Sequence, residues 1–344
     1  MRTMRKKAAA TMVFATAIGC ALACNAAAED TEYKVGVVKF MDHASLNQIE
    51  DNIDAKLDQL SEETDGVVYN YADYTYNGEG DGTVLNQIAA SLVADNVDVI
   101  VAIATPAAQV MQAATEETDI PIVFSAVGDP VGAGLAESME APGMNITGTS
   151  DALNTDSIMN LIFALDPDAD YIGLLYSKSE DSSAQPIADA KAYLDEKGIK
   201  YIEKTGTNND EVSTAADVLV AEGVDAVFTP TDNTVMNAEL AIFEKFAEAG
   251  IPHYCGADSF ALNGAFCGFG VNYKILGQAT GEMVAEVLSG ADPAATPVQT
   301  FENGIATVNT QTAEALGLDM EDVKAAFEPF CSEIVETQTA EEFE

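Results

Sequence analysis

Positive charge is what this 344-residue chain has least of: 15 Lys and Arg stand against 57 Asp and Glu, a formal net charge of −42. A surface so acidic repels nucleic acid and anionic lipid, and its ordinary consequence is a solvated exterior that keeps the chain soluble. Histidine occurs only as His43 and His253, and the five cysteines follow no metal-ligand spacing. A zinc centre is therefore not expected, and neither is any other metal or cofactor. The chain also lacks a Gly-rich strand-to-helix phosphate fingerprint, a Gly-x-Ser-x-Gly elbow and a catalytic Cys–His pairing, which argues against an enzyme. Past residue 23 no stretch is long and apolar enough to span a bilayer.

What is present begins with a leader. "MRTMRKK" carries four cations, "AAATMVFATAIGCALA" has no charge, and small residues precede the first acids. That order of basic, apolar and small segments predicts a secretory signal. Three cleavage points compete: "ALAC" ending at Cys24 resembles a lipobox, "AIGC" ends at Cys20, and "AAA" ending at Ala28 suits ordinary signal peptidase. The reading adopted is a signal over 1–23, lipidation at Cys24 and a linker over 24–32. The mature protein is then exported and held to the membrane only by its lipid, which tethers without spanning. Outside the cytoplasm a disulfide is permitted, and Cys255 with Cys267 is the one close pair. Two small buried thiols are the alternative.

From residue 33 the chain alternates short β-branched runs with helix-length stretches. "YKVGVVKF", "VDVIVAIA", "IPIVFSAV", "DYIGLLYS" and "VDAVFTP" read as buried strands, and segments such as "GTVLNQIAASLVADN" and "NTVMNAELAIFEKFAEAG" as the helices between them. Near-continuous apolar strands separated by helices predict parallel sheets covered on both faces. The series reads twice, with "PGMNITGTSD" as connector. The expected fold is α/β: two doubly wound parallel-sheet lobes with a hinge and an interlobe cleft. The first lobe takes 33–149 and 273–293; the second lobe and hinge return take 150–272 and 294–330, with "TPVQTFENGIATVN" as a hairpin. Residues 331–344 read as an acidic tail.

In such sheets ligands meet the carboxyl ends of the strands. There the first half offers Phe40, Ser45, Thr105, Ala107, Ser125 and Asp129, and the second Tyr176, Glu180, Asp181, Asp232, Asn233 and Asp258; Asp151 ends the connector. Hydroxyls and open helix starts on one lobe facing acids on the other suit a zwitterion, with its carboxylate on the first lobe and its ammonium on the second. Asp232, directly past "VFTP", is the expected ammonium partner. Each residue has a plainer reading: Thr105 and Asp232 as helix caps, Asp129 as a turn residue, Phe40 and Tyr176 as core aromatics.

The segments "VGVVKFMDHASL", "IATPAAQ", "VGDPVGAGL", "GMNITGTSD", "LLYSKSEDSS", "PTDNTV" and "YKILGQATGEM" occur in one order over roughly residues 33 to 320. In this the chain resembles the substrate-binding proteins of ABC importers with the type I periplasmic-binding fold, and among them the tryptophan and tyrosine transporter components. The resemblance implies a monomer whose lobes close on a small amino acid, often aromatic, and deliver it to a permease. It departs at "HYCGADSF" and "FCGFG", where cysteines replace other small residues. The alternatives are another small solute, such as a sugar or nucleoside, or a sensor that presents its ligand to a membrane receptor. The chain has no Trp, and Trp platforms often hold sugars in this fold, so the absence tilts toward an amino acid.

Overall fold

The structure is a computed structural model that describes residues 31–340; the leader, Cys20, Cys24 and most of the linker lie outside the described residues. The first lobe is built from β1 (Thr31–Lys39), α1 (Ala44–Glu63), β2 (Val67–Asn70), β3 (Thr75–Asn77), α2 (Gly82–Asp95), β4 (Val99–Ile103), α3 (Thr105–Thr115), β5 (Ile122–Ser125) and β6 (Ile146–Ser150). The second follows with α4 (Thr155–Leu165), β7 (Tyr171–Tyr176), α5 (Ala184–Lys197), β8 (Lys200–Thr205), α6 (Asn209–Glu222), β9 (Ala226–Thr229), α7 (Asn233–Glu248), β10 (His253–Cys255), α8 (Asp258–Leu262) and β11 (Cys267–Gly270). Strands such as β4 and β5 are buried at every residue, the mark of a sheet covered on both faces.

The chain then returns. Helix α9 (Tyr273–Leu288) lies against α1 and the first sheet. The approach is close because α9 presents glycines: a Cβ on Gly277 would stand 2.6 Å from the Ile49 carbonyl oxygen of α1. Next come β12 (Gln299–Thr300), β13 (Ile305–Asn309), α10 (Thr310–Ala315), α11 (Met320–Phe327) and β14 (Glu333–Thr337). The first sheet has the order β12-β6-β5-β4-β1-β2, with β3 also on β1; the second runs β14-β13-β11-β10-β9-β7-β8. Among the described residues every pairing is parallel except β11 with β13.

Two details differ from the sequence reading, and one alternative it left open is decided. The 296–309 segment is no hairpin: β12 pairs with β6 in the first sheet and β13 with β11 in the second, so residues 301–304 are a crossing between lobes. With 151–154 and 271–272 the chain thus crosses three times. The expected acidic tail contains β14, which pairs with β13 over five residues. Cys255 and Cys267 are free thiols. Tyr254, not Cys255, stands opposite Cys267 in the register, so side-chain alternation sends the two thiols to opposite faces of the sheet, into separate hydrophobic cores.

Candidate functional site

The carboxyl ends of both sheets face one crevice. From the first lobe it is lined by His43, Ser45 and Leu46 at the start of α1, Ala104 and Thr105 at the β4–α3 junction, and Ala126 and Gly128 past β5. Asp151 comes from one crossing, and Tyr273 opens α9 directly after another. Thr231, Asp232, Asn233, Met236, Ser259 and Phe260 are the main contributions of the second lobe. The crevice holds about 440 Å3 of space free of atoms, its open mouth included, but only about 30 Å3 is wide enough for the centre of a water molecule.

The lobes are drawn together over this space. Ser45 Oγ donates to Asp258 Oδ1 at 2.8 Å, Gln109 Nε2 donates to Asp181 Oδ2 at 2.7 Å, and His43 Nε2 lies 3.1 Å from Asn233 Oδ1. Two alanines at first-lobe strand ends carry positive φ, Ala104 at 77° and Ala126 at 55°. A Cβ makes that conformation unfavourable, and such strain persists only where the surroundings impose it, often at binding sites. Both line the crevice.

The acids of the second lobe are already engaged. Asp232 caps α7 through Oδ1, which accepts from the Val235 amide at 2.9 Å, while Oδ2 accepts from the Ser177 amide and Ser183 Oγ, both at 2.6 Å. Burial, and then the neighbouring Glu180 charge, push its pKa up to about 7. Glu180 accepts five hydrogen bonds, from the amides of Asn233 and Thr234, Asn233 Nδ2, Thr234 Oγ1 and, at 3.4 Å, Ser182 Oγ. Asp258 is spent on Ser45 and the start of α8, and burial raises it to about 6.

Asp151 differs. It is 6% exposed; Oδ2 accepts from the Tyr273 hydroxyl at 3.3 Å, and the buried Oδ1 has no partner among the described residues. Burial outweighs the hydrogen bonds and pushes its pKa up to about 6. Thr105 Oγ1 and His43 Nδ1 are likewise buried without a partner, so three orphan polar atoms belong to residues lining one space. Orphans of this kind are rare in a native interior and mark places where a missing group belongs.

Among the residues singled out in the sequence, Ser45, Thr105, Asp151, Asp232 and Asn233 line this crevice. Ser125 turns away: its hydroxyl lies 2.8 Å from that of Thr280 on α9, and Ala126 takes its place at the cleft. Ala107 is wholly buried in the first core. Phe40 lines a separate opening with Met41, Thr207 and Asn208. Asp129 caps a turn through the Gly132 amide. Tyr176 donates to Glu203, and Asp181 serves the bond to Gln109. His43, Met236, Phe260 and Tyr273 were not singled out. Only His43 carried a signal, as a rare residue between a strand end and a helix start.

The model of the ABC transporter substrate binding protein family matches residues 34–327. The chain belongs to that family. A tyrosine-binding protein of Clostridioides difficile is 32% identical over 292 residues, spanning 85% of this chain and 82% of the relative. A Streptococcus pneumoniae domain solved in complex with L-Trp is 32% identical, covers 89% of this chain and 100% of its own, and superposes with a TM-score of 0.80. A ligand-free, open substrate-binding protein from Clostridium difficile, 30% identical with 90% and 100% covered, superposes at 0.66. This substrate-binding protein thus superposes better on the tryptophan complex than on the ligand-free, open relative.

Proposed function

We propose that the protein captures an aromatic amino acid between its lobes and delivers it, unchanged, to the permease of an ABC importer. The observation that carries this reading is the buried, unpartnered Oδ1 of Asp151 at a cavity where Thr105 leaves a second orphan at the first turn of α3. A buried carboxylate is expensive without a cation, and a ligand ammonium supplies one. A ligand carboxylate fits the N-terminus of α3, where Thr105 Oγ1 adds a donor to unpaired backbone amides. Leu46, Met236, Phe260 and Tyr273 give the side chain an apolar wall. Relatives named for tyrosine and solved with tryptophan add support. A neutral sugar could donate hydroxyls to Asp151 but would leave its buried charge uncompensated.

Calorimetric titration with amino acids, their amides, their N-acetyl derivatives, sugars and nucleosides tests this. Free aromatic amino acids should bind, and blocking either end should weaken binding by about 2–5 kcal/mol. Binding of a sugar or nucleoside, with no response to any amino acid, would remove the reading.

A binding protein of this family works outside the cytoplasm, and the leader supports a lipid anchor at Cys24 as its tether. Cys24→Ala should then move the protein from the membrane fraction to the soluble one; unchanged retention would discard the anchor.

A further inference from the structure

His43 carries a further inference, which rests on the amino-acid reading above. Its side chain is one end of a chain of hydrogen bonds whose donors and acceptors can be assigned. Glu180 Oε2 accepts from Asn233 Nδ2 at 2.7 Å, so the amide must turn its nitrogen to Glu180 and its oxygen to His43. Asn233 Oδ1 can only accept, and His43 Nε2 lies 3.1 Å from it. Nε2 therefore bears the proton. Burial lowers the His43 pKa to about 4, so the ring is neutral at ordinary pH and Nδ1 is a bare acceptor. That atom is buried and has no partner among the described residues, and His43 lines the cavity.

We infer that His43 reads the ligand's ring: Nδ1 accepts a hydrogen bond from a ring-borne donor, a phenol O–H or an indole N–H, so the site disfavours an unsubstituted phenyl ring. Sheet order supports the placement. Asp151 follows β6 and His43 follows β1, with β5 and β4 between them, a separation of three strand spacings, ~14 Å before the side chains reach inward. An amino acid with its ammonium on Asp151 must carry a long side chain to reach His43. An acceptor left buried and empty is costly, which is how a site built around one hydrogen bond rejects a near-isostere. Asn233 and Glu180 are positioning residues. They fix the tautomer, and because Asn233 comes from the second lobe, they fix it only when the lobes meet.

The test is a ligand series on the intact mature protein: tyrosine, O-methyltyrosine and phenylalanine, titrated into the wild type and His43→Leu. The wild type should prefer tyrosine over phenylalanine by on the order of 10- to 100-fold, with O-methyltyrosine near phenylalanine. In His43→Leu the ratio should fall to about threefold or less, through loss of tyrosine affinity while phenylalanine holds. Nitrogen NMR of the wild type at pH 7 should find Nδ1 unprotonated and hydrogen-bonded in the tyrosine complex, where the lobes meet, and shifted from its position in the empty protein. A wild-type ratio near one overturns the assignment to His43, as does a ratio unchanged by the substitution; either leaves amino-acid binding standing. Failure of these three and of tryptophan to bind would strike at the amino-acid reading itself. Should the variant not fold, the wild-type ratio and the NMR signal still decide.

Discussion

The two lobes bring unlike strand ends to the same cleft. On the first, Ala104 and Ala126 hold strained backbone and Thr105 and His43 keep polar atoms without partners. On the second, Asp232 and Glu180 accept eight hydrogen bonds between them, from Ser177, Ser182, Ser183, Asn233, Thr234 and Val235. The first lobe's polar atoms at the cleft lack partners, whereas the two acids of the second are saturated, with Met236 and Phe260 as its apolar contribution to the lining. An acid at a strand end is thus a recognition group only where the helix after it leaves an oxygen spare. Asp151, on a crossing with no helix to cap at once, meets that condition. A ligand seated on the first lobe and the crossing would draw the second lobe over it, shifting the population toward the closed form.

The widest separation between the regions should come from two isosteric substitutions. Asp151→Asn removes the charge facing the cavity, so amino-acid affinity should fall by about 2–5 kcal/mol. Its fold should survive, because a buried carboxylate with one unpaired oxygen contributes little to it. Asp232→Asn should do the reverse. Its amide oxygen can still cap Val235 and Ser183 Oγ can turn to accept from its NH2, but the Ser177 N–H would face that NH2 with no acceptor, costing about 1–3 kcal/mol of stability. Titration calorimetry and denaturant unfolding on both variants measure the contrast. If Asp232→Asn loses the ligand and Asp151→Asn does not, the roles of the two acids are exchanged.

Much of this architecture was legible because burial on both faces writes itself into composition: "VDVIVAIA" admits few structures other than a covered parallel strand. The lateral partners were not legible. Strand β12 is two residues long and joins β6 some 150 positions earlier, so local pattern suggested a hairpin with its neighbour. Strand β14 reads "EIVET", with two acids on a half-exposed sheet edge, and composition alone gave no reason to separate it from a solvated tail. At the site, proximity to a strand end selected Asp151 and Asp232 alike. What distinguishes them is the count of hydrogen bonds each already accepts, which depends on Ser177, Ser183 and Tyr273 arriving from elsewhere. Ser125 failed for a related reason: one residue's difference along a strand reverses its face, and α9 covers the face it chose.

The smaller effect is one of pH, and it separates binding from folding by sign. Burial raises Asp151 to about 6, Asp258 to about 6 and Asp232 to about 7. A carboxylate raised above its unfolded value near 4 binds more protons in the folded protein than in the unfolded one across the interval between. Its contribution to stability is therefore fully present below about 4 and is lost as pH rises through 6 to 7. The empty protein should unfold at higher temperature at pH 5 than at pH 8, helped by relief of repulsion in a chain of net charge −42. Ligand binding runs the other way. An ammonium requires Asp151 ionised, so below pH 6 it must displace a proton, and affinity should fall toward tenfold per pH unit. His43, lowered to about 4, stays neutral in the folded protein throughout this window and adds no slope to binding. Because its unfolded value lies near 6.5, it offsets part of the stability gain below that pH without reversing the sign that the three carboxylates set. Calorimetry between pH 5 and 8, beside melting curves without ligand, gives both slopes from one preparation. In Asp151→Asn the affinity slope should flatten while most of the stability slope remains, since Asp232 and Asp258 still titrate. An affinity independent of pH in the wild type would mean that the Asp151 charge has no part in holding the ligand.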